Sequence, residues 1–323
     1  MTDATALLLL PRLRVQNANA ISGPLTWGFP SPTAFTGFVH ALERHFADQL
    51  ERGFRGVGIV CHGFEPQVFR PPGKRTQVFR LTRNPVGKDG STQALVEEGR
   101  AHLEVSLVIA VRDYFSIRKG ERLAEAVMAA VSSMRIAGGS VLPQRPGKRF
   151  TARWVPLSED LASQREEFRK FRRQLLPGFA LVQREDRLAQ HLDELRETRP
   201  TATALDALLD LTRLNYEPDQ PNPDKPGEPQ WGIRRTAGWL APVPVGYAAL
   251  TPLQVPGTVR NARDDSTPFR FVESLYSLGE WVGPHRLNRV DQLLWHTDSD
   301  PEQGLYRCIN HYVALESTAE SIA

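Results

Sequence analysis

The sequence predicts an α+β protein: a ferredoxin-like (RRM-like) antiparallel sheet with helices, a mainly helical insertion and an irregular, β-rich C-terminal part. Over the first 157 residues, strand and helix patterns follow the order strand, helix, two or more strands, helix, strand. Apolar stripes at helical spacing dominate residues 158–215. Short apolar runs broken by proline and glycine fill most of the remainder, which favours strands and turns.

The first elements have clear local signals. The run Leu7–Leu10 is continuously apolar, which favours a central strand buried on both faces. Ser31 can cap a helix that has Pro32 in its first turn. One face of that helix is apolar, through Phe35, Phe38, Val39, Leu42 and Phe46.

Two further strands and a second helix follow. A strand pattern runs through Val57, Ile59 and Cys61, and a cleaner alternation of apolar and polar residues runs over residues 103–111. A helix is predicted over about residues 121–136, where the glycine pair 138–139 would end it.

The composition shifts divide the chain into four parts. We expect a ferredoxin-like RNA-binding core at 1–157, a helical insertion at 158–215, a mobile proline-rich loop at 216–230 and a C-terminal part at 231–323 that packs back on the core. Within the last part, helical stretches are predicted near residues 271–278 and 288–295.

Bulk properties exclude several classes of protein. Hydrophobic residues make up 41% and charged residues 24%, which excludes wholesale disorder. The formal charge of +3 permits a polyanionic partner without requiring one. Neither Cys61 nor Cys308 lies in a CxxC pair, so we expect no zinc site of the usual spacing, no metal and no cofactor. The cysteine usage fits a reducing cytoplasm, so a cytoplasmic location is expected. The N-terminal apolar run is too short to span a membrane and lacks a basic leader, and we expect it to be a buried strand.

A polar loop between the first strand and the first helix is the first candidate site. It carries Gln16, Asn17, Asn19, Ser22 and Trp27. Amides and hydroxyls can bind the edges of unpaired bases, and an indole can stack on one. The alternative is a turn whose polar side chains satisfy its own backbone, with the tryptophan in the core.

Basic segments supply further candidates. Two proline- and glycine-broken segments carry Arg70, Lys74, Arg75, Arg80 and Arg83, and then Arg145, Lys148, Arg149 and Arg153. Such clusters neutralise phosphates, and interleaved phenylalanines at 69, 79 and 150 could stack or anchor. The alternative is an ordinary solvated face.

Two more arginine clusters follow. Arg165, Arg169 and Arg172 share a helix face with Arg173 beside them, which also suits a solvated or protein-contacting helix. A polar segment carries Arg260, Asn261 and Arg263, where arginine can grip a phosphate or a base edge and asparagine can bind a base. Its alternative is salt bridging with Asp264 and Asp265.

No catalytic motif was found. The sequence lacks G-x-S-x-G, H-E-x-x-H, a Walker-type phosphate loop and a dinucleotide fingerprint. Cys61 and His62 are adjacent on a predicted strand, where neighbours point to opposite faces, so they make a poor dyad. Asp264 and Asp265 suit a solvated turn better than a metal site.

Seven segments carry a resemblance to a known family. They are LLLLPRLRVQNANAISGPLTWGFPSPTAFTGFVHAL, GKRTQVFRLTRNP, EEGRAHLEVSL, MRIAGGSVLP, LLPGFALV, DKPGEPQWGIRRTAGWLAPVPVGYAALTP and VRNARDDSTPFRFVESLYSLGEW. These segments span nearly the whole chain. They resemble the Cas-five-type subunit of the type I-F CRISPR Csy surveillance complex, a Cascade-like assembly guided by crRNA.

The resemblance implies binding and assembly without catalysis. It implies a subunit that holds the 5′ handle of the crRNA, pairs with the large subunit and adjoins the first copy of the repeated backbone subunit, with target DNA as a further candidate partner. The expected RNA-binding residues are Gln16, Asn17, Asn19, Ser22, Trp27, Arg75, Arg80, Arg145, Lys148, Arg149, Arg260, Asn261 and Arg263. The glycine-rich loop common in the wider superfamily is reduced here to AGGSVLP at residues 137–143.

Two alternatives stay open at this point. One is a metal-independent endoribonuclease that processes repeat RNA, for which His62, His102 and Tyr114 would be the first suspects. The other is a structural adaptor that contacts the large subunit through the helical insertion and contributes little to RNA binding.

Overall fold

A large antiparallel sheet organises the protein. The computed structural model describes residues 3–83, 86–144, 147, 150–221, 229–234 and 237–313. The strands are β1 (Ala6–Asn19), β2 (Ile21–Gly23), β3 (Thr26–Trp27), β4 (Phe54–Pro66), β5 (Val68–Phe69), β6 (Val78–Phe79), β7 (Leu81–Arg83), β8 (Leu95–Glu97), β9 (Arg100–Val111), β10 (Arg135–Ile136), β11 (Gly139–Leu142), β12 (Arg153–Pro156), β13 (Phe179–Gln183), β14 (Asn215–Pro221), β15 (Pro229–Arg234), β16 (Leu240–Ala249), β17 (Val272–Val282), β18 (Leu294–Asp300) and β19 (Leu305–Asn310).

The helices alternate with these strands. They are α1 (Pro32–His45), α2 (Ile117–Val131), α3 (Leu161–Phe171), α4 (Glu185–Thr198) and α5 (Ala204–Thr212), with short 3₁₀ turns at Arg172–Leu175, Pro284–Arg286 and Val290–Gln292. Among the described residues, no helix is both long enough and apolar enough to cross a membrane.

The large sheet has the spatial order β10-β11-β1-β9-β4-β13-β17-β16-β19-β18, and β12 pairs with β1. The second strand after α2, β11, therefore lies beside β1, and β9 separates β1 from β4. The edge of β1 away from β9 is shared, since β11 pairs with Arg14–Gln16 and β12 with Ala6–Leu9.

Both faces of β1 are buried, which explains its continuous apolar run. Leu8 and Leu10 pack in one core cluster that includes Phe35 of α1 and Val127 of α2. Leu7 and Leu9 pack in a second cluster that contains Phe168 and Phe171 of α3. Side chains of adjacent strand residues point to opposite faces, so α1 and α2 cover one face and α3 covers the other.

The two predicted helices of the core differ in accuracy. The first is confirmed, and Ser31 Oγ accepts from Thr33 N at 3.1 Å as its N-cap. The second begins earlier than predicted, at residue 117, because Ser116 caps it. It also ends earlier, at residue 131, because residues 135–142 form the β10–β11 hairpin around Gly138, whose φ of +75° favours glycine.

The C-terminal strands close a ring of pairings with β4. Val57 and Gly58 of β4 pair with β18, and Val60 and Cys61 pair with β13 on the same edge. The path β4-β13-β17-β16-β19-β18 thus returns to its start. The fully buried Trp295 links two strands of this closed set, because its Nε1 on β18 donates to the Leu181 carbonyl on β13 at 2.8 Å.

Two of the C-terminal predictions are wrong. Residues 271–278, predicted as helical, lie largely in β17, which is paired on both edges by β13 and β16. Residues 288–295 contain only the 3₁₀ turn Val290–Gln292 before β18 begins. Pairing with distant strands overrides the local helical spacing at both places.

The middle of the chain also differs from its sequence-based outline. The region 158–215 contains α3, α4 and α5, but β13 interrupts it and joins the large sheet. Where a mobile loop is predicted at 216–230, β14 and β15 pair as a hairpin with Tyr216 opposite Ile233. Residues 222–228 lie outside the described residues.

A buried carboxylate joins the hairpin to the helices. Asp210 of α5 accepts hydrogen bonds from His191 Nε2 at 2.8 Å, Arg213 Nη2 at 2.7 Å and Arg234 Nη2 at 3.2 Å. Burial alone would raise the pKa of Asp210, but these three donors outweigh it and lower the pKa to about 2. α4, α5 and β15 are thus held together through one ionised side chain.

Candidate nucleic-acid interface

The end of β1 presents two polar side chains to solvent. Gln16 and Asn17 are both exposed, and Asn17 has a φ of +58°, a conformation that asparagine adopts more readily than most residues. The Asn17 backbone N–H donates to His102 Nδ1 at 3.3 Å, and its side-chain oxygen accepts from Gln67 Nε2. The end of β1 is therefore hydrogen-bonded to Gln67, the residue just before β5.

Asn19 and Ser22 mainly hold the loop in shape. Asn19 Oδ1 accepts from Ile21 N at 3.1 Å, and its Nδ2 donates to Ile21 O at 2.7 Å. Ser22 Oγ accepts from Ser31 N at 3.1 Å. At these two positions the structure favours the turn-forming alternative over direct base binding.

Trp27 lies on the surface and not in the core. Its side chain is 54% exposed, and its ring meets Phe79 edge to face at a centroid distance of 5.2 Å. The hairpin that carries it is anchored behind by Tyr276, whose hydroxyl accepts from Leu25 N at 3.2 Å. An aromatic ring with this exposure is able to stack on a flat ligand.

The contact with Phe79 brings two separate sequence candidates together. Phe79 belongs to β6, which pairs with β5 to form the hairpin of the first basic segment. Arg80 follows directly, and its backbone N–H donates to Gln67 O at 3.2 Å. Arg75 lies in the turn between β5 and β6. Both arginines are exposed, and within the described part of the chain neither makes an ion pair.

The second basic segment can be placed only in part. Arg145, Lys148 and Arg149 lie outside the described residues. Arg153 is described; it is exposed on β12, and its Nη1 donates to Gln174 Oε1 at 3.0 Å.

An aromatic pair that sequence reasoning missed lies nearby. Phe179 and Trp239 meet edge to face at 5.4 Å and are 46% and 61% exposed. The Trp239 carbonyl accepts from Trp281 N at 3.0 Å, and Trp281 contacts Phe29 at 4.8 Å. Phe29 follows Trp27 by two residues, so Trp281 connects the polar loop, through its ring, to the backbone of Trp239. The only local sign of this surface in the sequence is Gly238-Trp239, just before β16. The aromatic partner of Trp239, Phe179, is 60 residues away in the chain.

Arg260, Asn261 and Arg263 come from a different segment of the chain. They belong to the excursion between β16 and β17, which starts where Ala249 pairs with Val272. Val272 is four residues along β17 from Tyr276, or about 13 Å at the usual strand rise.

The predicted alternative of salt bridging does not occur in this excursion. Asp264 instead accepts from Thr267 N at 2.7 Å and Ser266 N at 3.0 Å, and hydrogen bonds from Thr267 and Ser266 lower its pKa. Arg260 and Arg263 are exposed and make no ion pair with any described residue.

The suspects for a ribonuclease do not converge. His62 Nδ1 contacts the Pro177 carbonyl at 2.6 Å and Nε2 contacts the buried Ser106 Oγ at 2.7 Å, so both ring nitrogens are engaged internally. Burial lowers the pKa of His62. Tyr114 lies three residues beyond Val111, the end of β9 opposite to His102, and the strand from His102 to Val111 alone spans about 30 Å.

Cysteine and metal chemistry find little support at these positions. Burial raises the pKa of the Cys61 thiol to about 11, which disfavours the reactive thiolate. Among the described residues, no group of three or more His, Cys, Asp or Glu side chains could hold a metal ion.

Comparison with known proteins identifies the family. The family model described as CRISPR-associated protein (Cas_Csy2) matches residues 8–308. The chain belongs to the Csy2 family of CRISPR-associated proteins. CRISPR-associated protein Csy2 of Pseudomonas aeruginosa (strain UCBPP-PA14) is 54% identical over 314 residues, which cover 95% of this chain and 96% of that protein. The resemblance noted in the sequence is confirmed at the level of Csy2 and the type I-F Csy complex.

Proposed function

We propose that this Csy2-family chain is a non-catalytic subunit of the type I-F surveillance complex that binds the 5′ handle of the crRNA. The meeting of Trp27 with Phe79 is the observation that carries the proposal. It joins a polar loop, a basic hairpin and exposed aromatic side chains into one surface. We name this surface, formed by residues 16–31, residues 67–80 and the Phe179–Trp239 pair, the aromatic–basic face.

The chemistry of this face suits unpaired RNA. Splayed bases stack on exposed aromatic rings and bind amides, while arginines neutralise the backbone between them. Trp27 and Trp239 offer the rings, Gln16 and Asn17 the amides, and Arg75 and Arg80 the charge. Arg260 and Arg263 add a second basic position that a strand leaving the face could reach.

The core supports a ferredoxin-like, Cas-five-type description of the subunit. Numbered by their order in the core, β11, β1, β9 and β4 have the spatial order 4-1-3-2, with α1 and α2 on one face. The match to Csy2 supports the assignment to a CRISPR complex, and with it a cytoplasmic location.

An exposed apolar surface supports pairing with the large subunit. Leu205 and Leu209 on α5 are 46% and 48% exposed, and Tyr216, Trp231 and Ile233 on the β14–β15 hairpin are 61%, 62% and 39% exposed. Apolar and aromatic groups of this kind form the centres of permanent interfaces. The neighbouring backbone subunit and target DNA remain proposed partners on the family resemblance alone.

A binding experiment tests the proposal. The chain is purified together with the large subunit, and its affinity for a handle oligonucleotide and a scrambled one of equal length is measured at several salt concentrations. We expect tighter, salt-sensitive binding of the true handle. Equal affinity for both would leave an adaptor with a nonspecific basic face, and a metal-independent cut product would favour the ribonuclease.

A further inference from the structure

A chain of polar contacts runs across four neighbouring strands of the large sheet. β1, β9, β4 and β13 lie side by side in that order. The Arg12 backbone N–H on β1 donates to Ser106 Oγ on β9 at 3.0 Å, and His62 Nε2 on β4 lies 2.7 Å from the same oxygen. His62 Nδ1 lies 2.6 Å from the carbonyl oxygen of Pro177, two residues before β13 begins. We name Arg12, Ser106, His62 and Pro177 the His62 relay.

Two β-bulges bring the relay residues together. β1 has one residue more than β9 over residues 10–13, and β4 has one residue more than β9 over residues 61–63. Arg12 lies in the first bulge with a φ of +52°, and His62 lies in the second. A bulge leaves one residue out of the regular ladder and re-aims its groups. Both bulges thus direct a polar group at Ser106, which is buried on the strand between them.

The chemistry of the partners assigns the proton on His62. A carbonyl oxygen only accepts, so Nδ1 carries the hydrogen that bonds to Pro177. In the neutral ring, Nε2 then accepts from the Ser106 hydroxyl, whose oxygen accepts from Arg12 N. A protonated ring would present a second donor at Nε2 and leave the Ser106 hydroxyl hydrogen without this acceptor. Burial, which outweighs the hydrogen bond to Pro177, lowers the pKa of His62 and so favours the neutral ring.

The relay ends on the segment that leads into β13. Within the part of the chain that the structure describes, side-chain hydrogen bonds to residues 176–178 come from His62 and from Arg12, whose Nη2 donates to Pro177 O at 3.2 Å. The His62 ring also lies directly against Gly178, where an added Cβ would be 2.6 Å from Nδ1. His62 therefore holds this segment both by a hydrogen bond and by close packing.

The segment in turn sets the start of β13. Phe179, the first residue of β13, pairs with Cys61 of β4, but the pairing of β13 with β17 begins only at Ala180. The Phe179 ring is 46% exposed and meets the ring of Trp239 edge to face at 5.4 Å. Because only one edge of its backbone is paired in the described sheet, the position of Phe179 depends on the residues just before it, and so on His62.

We propose that His62 is a positioning residue of the aromatic–basic face, which holds Phe179 against Trp239 through its hydrogen bond to Pro177. The pair is then kept in the arrangement that leaves both rings exposed to a handle base. This use of the pair rests on the proposed function, whereas the positioning itself does not. His62 has both ring nitrogens engaged within the protein and acts without touching the RNA.

The test compares two neutral substitutions of the same ring. His62→Asn keeps an N–H donor at the position of Nδ1, facing Pro177, whereas His62→Gln moves the amide to the position of Nε2, facing Ser106. Phe179→Ala is the reference for loss of the aromatic pair. Each full-length chain is labelled with 5-fluorotryptophan and purified with the large subunit, and circular dichroism melting checks that it is folded.

Two readouts are recorded for each variant. ¹⁹F NMR follows the signal of Trp239, which is assigned by its disappearance in Trp239→Phe, and the signal of Trp27, assigned in the same way. Fluorescence anisotropy gives the affinity for handle RNA. The first readout reports the aromatic pair without any RNA, so it is independent of the proposed function.

We expect His62→Gln to move the Trp239 signal toward its position in Phe179→Ala and to weaken handle binding roughly fivefold or more, as for loss of a stacked base. His62→Asn should keep the Trp239 signal near its parent position and stay within about twofold of the parent affinity, because the bond to Pro177 remains. The Trp27 signal should stay in place in both variants.

Four outcomes would overturn the inference. They are an unmoved Trp239 signal in His62→Gln, equal movement in His62→Asn and His62→Gln, equal movement of the Trp27 signal, or full handle affinity in His62→Gln where Phe179→Ala loses it. Failure of the proposed function has a different pattern: the Trp239 signal moves in His62→Gln alone, but Phe179→Ala binds the handle normally. That pattern would uphold the positioning by His62 and remove the aromatic pair from the handle site.

Discussion

Replacement of Trp27 by alanine removes the stacking surface on which the handle proposal depends. Trp27 is 54% exposed. Its replacement by alanine therefore has two effects: it removes a ring that can stack on one base, and it removes the apolar contacts of the half of the side chain that is buried. Stacking of a base on an aromatic side chain contributes about 1–3 kcal/mol, which corresponds to roughly 5- to 150-fold in Kd. Losing about 100 Å² of buried apolar contact costs about 2 kcal/mol of folding stability.

Fluorescence anisotropy with handle RNA measures the first effect and thermal melting the second. Trp27→Phe keeps an aromatic ring and should recover most of the affinity. Tyr114→Ala is the control, because it removes an exposed aromatic side chain (69%) that lies beyond the end of β9, outside both the aromatic–basic face and the proposed large-subunit surface. An unchanged Kd for folded Trp27→Ala, or an equal loss in Tyr114→Ala, would refute the assignment of Trp27 to the handle site.

Three further predictions address other parts of the account. Arg260→Ala should weaken handle binding by about 1–3 kcal/mol if its fork binds phosphate or a base edge, whereas Asp264→Ala should not; anisotropy at fixed salt decides. The folded-state pKa of Asp210 lies below its unfolded value, so its stabilisation is complete above about pH 4 and lost as the pH falls toward 2. Asp210→Asn should therefore lower the melting temperature at pH 7 and flatten its decline between pH 4 and 2; a parallel decline would contradict this. Leu209→Asp should prevent co-purification of the large subunit, and retention of a stoichiometric complex would move that interface elsewhere.

Local sequence signals predicted the elements that depend on neighbours in the chain. The continuous run in β1 and the Ser31 cap of α1 are short-range features, and both occur as expected. The strand β17 was misread as helical because its spacing is ambiguous and its two partner strands are distant. Residues 215–221 pair with residues 229–234, with Tyr216 opposite Ile233, and the abundance of prolines obscured these two strands in the sequence.

The candidate site shows the same division. Residue type alone pointed to Trp27 and Arg80. Only the fold shows that the loop with Trp27 contacts the β5–β6 hairpin, which precedes Arg80, through Phe79. Asn19 looked equally suitable, yet its amide is used by the backbone of Ile21. The Trp239 surface was missed because its partner comes from a strand far away in the sequence.

The central claim is that handle RNA lies on the aromatic–basic face. Photocrosslinking tests it most directly: handle RNA with 4-thiouridine is bound to the chain together with the large subunit, irradiated and digested, and the crosslinked peptides are identified by mass spectrometry. The account predicts crosslinks within residues 16–31, within residues 67–80 or at Trp239, and their loss with scrambled RNA. Handle crosslinks found only outside these positions, or equally with scrambled RNA, would contradict it.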